Sequence, residues 1–400
     1  MAVSLLRARE VSDLCIGKPA VRSIPLSSTV GDALHALRNG VGEDHLAIWP
    51  ADGSKKTCVR KVCMVDVLCY LCSEESIAAP GAALGAPVSA LLPPPAAAPL
   101  VRRVEPNSSI LEALNVILDG AHSLVVPIRP TASLRKLAGG GGAVAAAAEF
   151  CWLTKEDFVR FFLNSIALFS PASFLSVTDL GLVRPVALAV RPQDPALSAL
   201  PLIRTALADQ TSVAVVDDEG RLVGEISPGT LANCDGRVAA ALAALSAGDL
   251  MAYLDCCGAP PESAVSSIKA QLREKELFGM VELLEADFSP PFSSSTSSSS
   301  SSSDEEFSPA AAAVAEALRS KRRPRRSRSA GRSGSYSARM GRRSEEAIVC
   351  YSGSSLVAVM VQALAHRVSY VWVVDEDYFL VGIVTFSGML GVFREQLEHQ

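Results

Sequence analysis

The sequence predicts an α+β fold built from four copies of one supersecondary unit. Three observations support this prediction: a strand–turn–strand pattern recurs, a short helix precedes each pattern, and a four-residue tag lies further upstream. The clearest copy is 369–390, SYVWVVDEDYFLVGIVTFSGML, in which apolar strand residues flank the turn Asp375-Glu376-Asp377. Each copy therefore has the same order of elements: a tag, a helix, two strands and a second helix. This order describes the chain outside one long insert.

The strand pairs of the four copies differ mainly in their turns. Residues 212–231 repeat the pattern closely, with Asp217-Asp218-Glu219-Gly220 as the turn. Residues 45–68 form a looser copy. The remaining copy is split, because strands predicted at 124–128 and 149–153 flank a run of glycine and alanine. That run predicts an expanded hairpin loop at the surface.

A helix and a tag precede each strand pair. The helices are predicted over 30–38, 110–118, 196–206 and 356–365. Small or turn-forming residues such as Ser27-Ser28-Thr29 precede them and provide N-cap chemistry. The tags lie at 11–14, 88–91, 177–180 and 247–250. Chance similarity at all of these anchors in all four copies is improbable.

The phrases LVGIVTFSGML and RLVGEISPGTL resemble the closing part of the CBS (cystathionine β-synthase) domain, whose motif runs Leu-x-Gly-Ile, a hydrophobic residue and Thr/Ser-x-x-Asp. The resemblance implies four β-α-β-β-α motifs paired into two Bateman modules, copy 1 with copy 2 and copy 3 with copy 4. With its long insert, the chain looks like the plant four-motif proteins of the CBSX type. The motifs are expected at 11–73, at 87–167, at 176–237, and at 247–257 together with 345–395.

The fourth motif is interrupted by an insert at 258–344. Within it, 263–285 predicts one amphipathic helix with Val265, Ile268, Leu272 and Leu277 on one face. The rest, about 286–344, predicts disorder, because a serine run and an arginine-rich run cannot bury enough apolar surface to offset the entropy of ordering.

Composition limits the classes of function. The net charge is -5, and the ten cysteines show no disulfide framework. The Cys69–Cys72 pair lies in an apolar predicted helix with no second pair to complete a zinc site, which favours buried free thiols. The sequence has neither a convincing secretory signal nor a membrane span, so an intracellular protein of the cytoplasm or nucleus is expected.

The resemblance also implies where a nucleotide would bind. In CBS pairs that bind adenosine derivatives, the closing Thr or Ser contacts phosphate or ribose, and the Asp accepts hydrogen bonds from the ribose hydroxyls. An ionised carboxylate, which only accepts, suits a diol. Copy 2 keeps both positions, as Thr154 and Asp157. The alternative interpretation is that Thr154 only caps its helix and Asp157 only lies in the first turn.

The other copies keep parts of this motif. Copy 1 has Asp66, with Cys63 where the hydroxyl should be. Copy 3 has Ser227 and copy 4 has Thr385, both without the carboxylate. The resemblance therefore implies one degenerate adenine-nucleotide site, between copies 1 and 2.

The insert carries two further candidate sites. A basic run predicts nuclear import or phosphate binding, with a solvated linker as the alternative: Lys321, Arg322, Arg323, Arg325 and Arg326. Three serines are candidate phosphorylation sites, because acidic residues follow the first and arginine precedes the others: Ser303, Ser329 and Ser335. Without interleaved aromatic residues, nucleic-acid recognition is disfavoured.

The sequence predicts no enzyme, since the five histidines form no ligand set and no Walker-type loop is present. We expect a non-catalytic regulatory protein that senses AMP, ADP, ATP or S-adenosylmethionine and modulates a partner protein or kinase. Its architecture resembles the gamma subunit of AMP-activated kinase. A ligand-free interaction scaffold and a nuclear protein directed by the Arg-rich run are the alternatives, and a homodimer stays open because CBS modules often dimerise.

Overall fold

The computed structural model describes residues 2–39, 44–49, 60–92, 101–128, 149–169, 172–256, 260–286 and 347–398. These residues contain four three-stranded sheets, one for each copy. In each sheet the first strand is parallel to the second, and the second is antiparallel to the third. A helical segment makes the parallel connection, as the geometry of parallel strands requires. The α+β fold of four β-α-β-β-α units is confirmed.

The first module contains copies 1 and 2. Its elements are α1 (Ala2–Ala8), α2 (Val11–Leu14), β1 (Ser23–Pro25), α3 (Val30–Arg38), β2 (His45–Trp49), β3 (Arg60–Cys63), α4 (Met64–Leu71), α5 (Pro80–Leu84), β4 (Val101–Arg103), α6 (Ile110–Leu118), β5 (Ser123–Ile128), β6 (Glu149–Thr154) and α7 (Lys155–Asn164). Thr29 and Ser109 begin α3 and α6 as the sequence predicts, each in a capping box with the acidic residue three positions later.

The second module contains copies 3 and 4. Its elements are β7 (Ala189–Val190), α8 (Leu200–Asp209), β8 (Val213–Val216), β9 (Leu222–Ile226), α9 (Pro228–Ala232), α10 (Arg237–Ala244), α11 (Ala247–Asp255), α12 (Glu262–Glu274), α13 (Phe278–Glu285), β10 (Val349–Tyr351), α14 (Leu356–His366), β11 (Tyr370–Val374), β12 (Leu380–Thr385) and α15 (Phe386–Glu398). The helix predicted over 196–206 begins as a 3₁₀ turn, Ala196–Ala199, and continues as α8.

The sheets of copies 1 and 2 pack face to face through an apolar cluster. Trp49 of β2 lies against Phe150 of β6, with ring centroids 5.0 Å apart, and Val125 and Trp152 complete the contact. The sheets of copies 3 and 4 meet differently. The buried Glu225 carboxylate of β9 accepts hydrogen bonds from Tyr370 Oη at 2.9 Å and Trp372 Nε1 at 2.7 Å.

The tags cross over between the paired copies. The backbone N–H of Val11 donates to the Ser108 carbonyl of copy 2, and that of Val88 donates to the Ser28 carbonyl of copy 1. In the second module, Val177 N–H donates to Ser354 of copy 4, and Ala247 N–H donates to Asp194 of copy 3. Each tag thus begins in one copy and packs at the helix start of its partner. This exchange joins copy 1 with copy 2 and copy 3 with copy 4.

Helices form the contact between the modules. Helix α4 of copy 1 packs against α8, α9 and α10 of copy 3, and α7 of copy 2 packs against α14 and α15 of copy 4. The second contact contains stacked rings of Phe162 and Phe393, whose centroids lie 4.5 Å apart. Two continuous apolar cores result, one shared by copies 1 and 3 and one by copies 2 and 4.

The prediction of one amphipathic helix over 263–285 is wrong. The structure has two helices, α12 and α13, because Glu276 adopts a left-handed backbone (φ 57°) and Leu277 N–H bonds back to Leu272. The turn lets α13 reach α10 and α5. Ile268 and Leu272 are buried, as the amphipathic pattern predicted.

Several sequence predictions concern residues outside the described ranges. The disorder predicted for about 286–344, the expanded hairpin loop of copy 2, the three candidate phosphorylation sites and the basic run all fall there. Those expectations, like the motif boundaries, stay predictions. Cys69 and Cys72 are described and are buried free thiols, as expected.

Candidate functional site

All four copies meet at one place, the central junction, which we define by Lys61, His122, Ser123, Gln210 and Ser369. Lys61 Nζ of copy 1 donates to Ser123 Oγ of copy 2 at 3.2 Å. Gln210 Nε2, just after α8 of copy 3, donates to the His122 carbonyl at 3.2 Å. Ser369 Oγ of copy 4 donates to the Gln210 carbonyl at 2.7 Å. Hydrogen bonds therefore link the four copies.

The central junction is rich in positive charge. Burial lowers the pKa of the His122 imidazole to about 4, and the neighbouring cations act in the same direction. Those cations are Lys155, Lys61 and Arg60. The imidazole is therefore neutral near pH 7, with one nitrogen as a donor and one as an acceptor.

Lys155, the first residue of α7, is the most unusual cation of this group. The residue is only 8% exposed, and burial lowers the pKa of its ammonium group to about 8. The charge of Asp209 opposes this shift, whereas that of Arg184 adds to it. Within the described residues Lys155 makes neither a hydrogen bond nor an ion pair. Because burying a lysine side chain without an ion-pair partner is costly, this position suits an anion.

Gln210 adds an unused acceptor at the same place. Its Oε1 atom is buried and has no hydrogen-bond partner among the described residues, while its Nε2 atom is bonded to His122. Its backbone is left-handed (φ 56°), which is uncommon for a residue other than glycine or asparagine. A strained residue that holds an unsatisfied buried acceptor is typical of a binding site.

The predicted pair Thr154 and Asp157 lies at the start of α7. Asp157 Oδ2 accepts from the backbone N–H of Thr154 at 2.8 Å and from its hydroxyl at 3.2 Å. Lys18 Nζ contacts both carboxylate oxygens, at 2.8 Å and 2.9 Å. The helix start and one lysine therefore already hold the carboxylate. Oδ2 is thereby fully used, whereas Oδ1, which accepts from Lys18, keeps a second lone pair for another donor.

Asp66 of copy 1 occupies the corresponding position at the start of α4. It accepts from the Cys63 backbone N–H at 2.9 Å and lies 3.8 Å from the Arg60 guanidinium. Burial raises the pKa of Asp66, although the bond from Cys63 and the charges of Arg60 and Arg204 oppose the shift. Burial also keeps the Cys63 thiol protonated by raising its pKa well above the usual range. Asp66 thus faces cations of two copies.

Ser227 and Thr385 cap the corresponding helices of the second module. Ser227 Oγ accepts from the backbone N–H groups of Gly229 and Thr230, at 3.1 Å and 3.3 Å. Thr385 Oγ1 accepts from Gly388 N–H at 3.3 Å. Among the five predicted site residues, only Thr154 and Asp157 are joined by a hydrogen bond in the described structure. The structure therefore distributes the others over the separate starts of their own helices.

The comparisons with known proteins decide the family. No protein-family model matches the chain. The CBS domain-containing protein CBSX5 of Arabidopsis thaliana is 42% identical over 418 aligned residues, which cover 100% of both chains. The chain belongs to the CBS domain-containing proteins. The SNF1-related protein kinase regulatory subunit gamma-like PV42b, also from Arabidopsis thaliana, is 24% identical over 58% of this chain and 72% of its own.

A solved structure shows the same fold. Protein MJ1225 from Methanocaldococcus jannaschii, proposed as an archaeal homologue of γ-AMPK, superposes with a TM-score of 0.54. The match covers 96% of this chain and 100% of MJ1225, at 14% sequence identity. The similarity extends across both CBS modules.

The CBS motif alone does not reveal the residues that make the central junction distinctive. Lys155 directly follows the closing Thr154, so its place in the motif was a usable signal. Lys18 and Gln210 carry no such signal, since they lie in connecting segments. His122 belongs to the five histidines that form no ligand set in the sequence, and only the fold places cations around it.

A separate cavity of about 470 Å³ is lined by copies 1 and 3 and by the tag segment of copy 4. Its lining includes Arg38, Asp235, Arg237, Tyr253 and Cys256, and none of the five predicted site residues. Elsewhere in the described ranges, no group of His, Cys, Asp or Glu side chains is placed to hold a metal ion. No helix among them is long and apolar enough to cross a membrane.

Proposed function

We propose that this CBS protein is a non-catalytic regulator that binds an adenine nucleotide at the central junction. The observation that carries the proposal is Lys155, a residue only 8% exposed that has no hydrogen bond or ion pair with any of the described residues. An anion beside it would restore the electrostatic stabilisation that burial removes. Nucleotide phosphate is an anion of suitable charge, and the surrounding cations come from three different copies.

The charge balance supports phosphate over other ligands. Among the described residues at or beside the junction, cations outnumber carboxylates: Lys18, Arg60, Lys61, Lys155, Arg184 and Arg204 face Asp66, Asp157 and Asp209. AMP, ADP and ATP all fit such a site. S-adenosylmethionine fits less well, because it brings a sulfonium cation and no phosphate. We therefore expect the nucleotides to bind more tightly.

The polar groups around the cations suit the rest of a nucleotide. Gln210 Oε1 can accept a hydrogen bond from an amino or hydroxyl group. Thr154 and Asp157, at the start of the helix that carries Lys155, are proposed to contact ribose. Since the ligand would touch several copies at once, binding would alter how the two modules fit together.

The proposed regulatory role includes a protein partner. PV42b is named as a regulatory subunit of an SNF1-related protein kinase, so a protein kinase is the partner we propose to test first. Co-purification with a recombinant SNF1-related kinase catalytic subunit, with and without nucleotide, would measure complex formation. A ligand-free scaffold predicts the same complex with no dependence on nucleotide.

Isothermal calorimetry on the full chain tests the ligand. We expect saturable binding of AMP, ADP or ATP, and a loss of about tenfold or more in affinity for Lys155→Met. Lys269→Met is the matched control, since Lys269 lies on α12 in an ion pair with Glu285 at 2.8 Å. Asp157→Ala tests the ribose contact separately. Folded protein that binds none of the nucleotides would overturn the proposal, as would unchanged affinity in Lys155→Met.

The same variant reports on stability. Removing the buried charge of Lys155 should raise the free energy of unfolding by about 1–3 kcal/mol at pH 7, given its lowered pKa. A variant that is more stable yet fails to bind cannot be dismissed as misfolded. Urea denaturation measures the gain.

A further inference from the structure

Two thiols meet beside the Lys18–Asp157 ion pair. Cys15 follows α2 in the tag region of copy 1 and is partly exposed, whereas Cys151 lies in β6 of copy 2 and is fully buried. The two side chains are hydrogen-bonded to each other. Residues 136 positions apart in sequence are thus brought into direct contact by the crossover of the first tag.

Backbone and side-chain contacts on the same segment hold this pair in place. Val21 N–H donates to the carbonyl of Phe150, the neighbour of Cys151, at 2.7 Å. Lys18 Nζ lies 2.8 Å from Asp157 Oδ1. The segment after Cys15 is therefore fixed to copy 2 at Phe150 and Asp157, on either side of Cys151, and the contact does not depend on the thiols alone.

The two thiols have different acidities. The hydrogen bond from Cys151 lowers the pKa of Cys15, and Lys18 lowers it further, against opposing effects of burial and Asp157. The same hydrogen bond raises the pKa of Cys151, together with burial. Cys15 is thus the better nucleophile, and the protonated Cys151 is suited to resolve it.

We propose that Cys15 and Cys151 form a peroxide-sensitive pair that closes to a disulfide. The Cys15 thiolate attacks one oxygen of hydrogen peroxide, the O–O bond breaks, and a sulfenic acid and hydroxide form. The Cys151 sulfur then attacks the Cys15 sulfur, so that the S–S bond forms and the S–O bond breaks. The leaving hydroxide takes the Cys151 proton. In sum, two thiols and one peroxide give one disulfide and two waters, with sulfur oxidised and peroxide reduced.

The disulfide would cross-link the two copies of the first module. It would tie the segment after the first tag to β6, whose last residue is Thr154. Oxidation would therefore restrict the part of the module that carries Lys18 and Asp157. This effect requires no nucleotide, so the redox pair stands independently of the proposed ligand site.

Other cysteines of the described ranges lack this combination. Burial raises the pKa of Cys69 and of Cys350 to about 12, which keeps both thiols protonated. Burial raises the pKa of Cys72 as well, and its thiol donates to the Ala239 carbonyl at 3.4 Å. Cys256 is exposed and serves as the control site.

Peptide mapping of the full chain tests the proposal. The reduced protein is titrated with hydrogen peroxide, alkylated, digested and analysed by mass spectrometry. We expect a cross-linked peptide pair containing residues 15 and 151, which dithiothreitol reverses. Cys256→Ser should leave the cross-link unchanged, and Cys15→Ser should abolish it. Lys18→Met should slow its formation about threefold or more, because the Cys15 thiolate is less favoured.

The wild-type chain alone can refute the proposal. The proposal would be overturned if peroxide oxidised Cys256 while Cys15 and Cys151 stayed reduced and could still be fully alkylated. A cross-link that forms equally between Cys15 and several other cysteines would also overturn it. Because this readout uses the wild-type protein, it stays decisive even where a substituted chain fails to fold.

Discussion

Gly382 shows at the scale of one residue why the Leu-x-Gly-Ile phrase needs glycine. A Cβ atom there would lie 2.5 Å from Val183 Cγ1 and 2.6 Å from the Arg184 carbonyl oxygen. Arg184 and Ile383 exchange two backbone hydrogen bonds, at 3.0 Å and 2.9 Å. The absent side chain thus lets β12 of copy 4 lie directly against the backbone of copy 3. The phrase that marks the repeat also marks where paired copies touch.

We expect Gly382→Ala to destabilise the protein by about 1–3 kcal/mol, because the backbone of copy 3 has to move. Urea denaturation measures the change. Gly391→Ala is the matched control, since Gly391 lies in α15 with no atom within 4 Å of the added Cβ. The free energy of unfolding of this control should rise by about 0.4–1 kcal/mol, because alanine makes the unfolded chain less flexible. Equal destabilisation of both variants would contradict the close-contact explanation.

At the scale of the element, the two sheet pairs use different chemistry. Trp49 and Phe150 join the first pair through apolar rings, whereas Glu225 joins the second through two buried hydrogen bonds. A buried carboxylate with aromatic donors restricts the geometry more tightly than apolar contact does, because hydrogen bonds are directional. Glu225 therefore helps to set how β9 lies against β11.

Glu225→Ala should cost about 2–4 kcal/mol, because it leaves the Tyr370 hydroxyl and the Trp372 N–H buried without their acceptor. Glu225→Gln keeps an acceptor oxygen and should cost less. Thermal and urea unfolding of both variants would measure how much stability each one loses. A glutamine variant as unstable as the alanine variant would show that charge, rather than the hydrogen bonds, stabilises the interface.

Most elements were predictable from local pattern. The helix over 110–118 and the strand over 370–374 have the predicted limits, since apolar periodicity and N-cap residues define them within a short window. The short first strands, such as Ser23–Pro25, were not assigned from local pattern. Three residues that pair with a distant parallel strand leave too little local signal. The break between α12 and α13 was not predicted for a related reason. It is associated with contacts that α13 makes with α10 and α5, and such contacts leave little signal in the local sequence.

At the scale of the whole molecule, pH acts through the central junction. The pKa of His122 falls from 6.5 to about 4 on folding, so between these values the unfolded chain binds a proton that the folded chain does not. Its contribution to stability is present above pH 6.5 and is lost as the pH falls towards 4. Burial lowers the pKa of His45 as well, which adds to the same trend.

We expect the free energy of unfolding to fall by about 1–2 kcal/mol from His122 alone between pH 7 and pH 5. His122→Gln should reduce this dependence, whereas His35→Gln, an exposed position on α3, should leave it unchanged. Urea titrations at the two pH values give the comparison. An unaltered pH dependence in His122→Gln would exclude His122 as its source.

The sequence by itself determined the four-copy repeat, the fold class and most helix starts, and it proposed five candidate site residues in the CBS motif. These features depend on residue type within a few positions, where apolar period, turn formers and caps act locally. Only the tertiary structure decided that the tags cross between copies, that Lys155 is largely buried with no ion pair among the described residues, and that Cys15 meets Cys151. Such contacts join residues far apart along the chain, and their energies depend on burial and charge that no local pattern specifies.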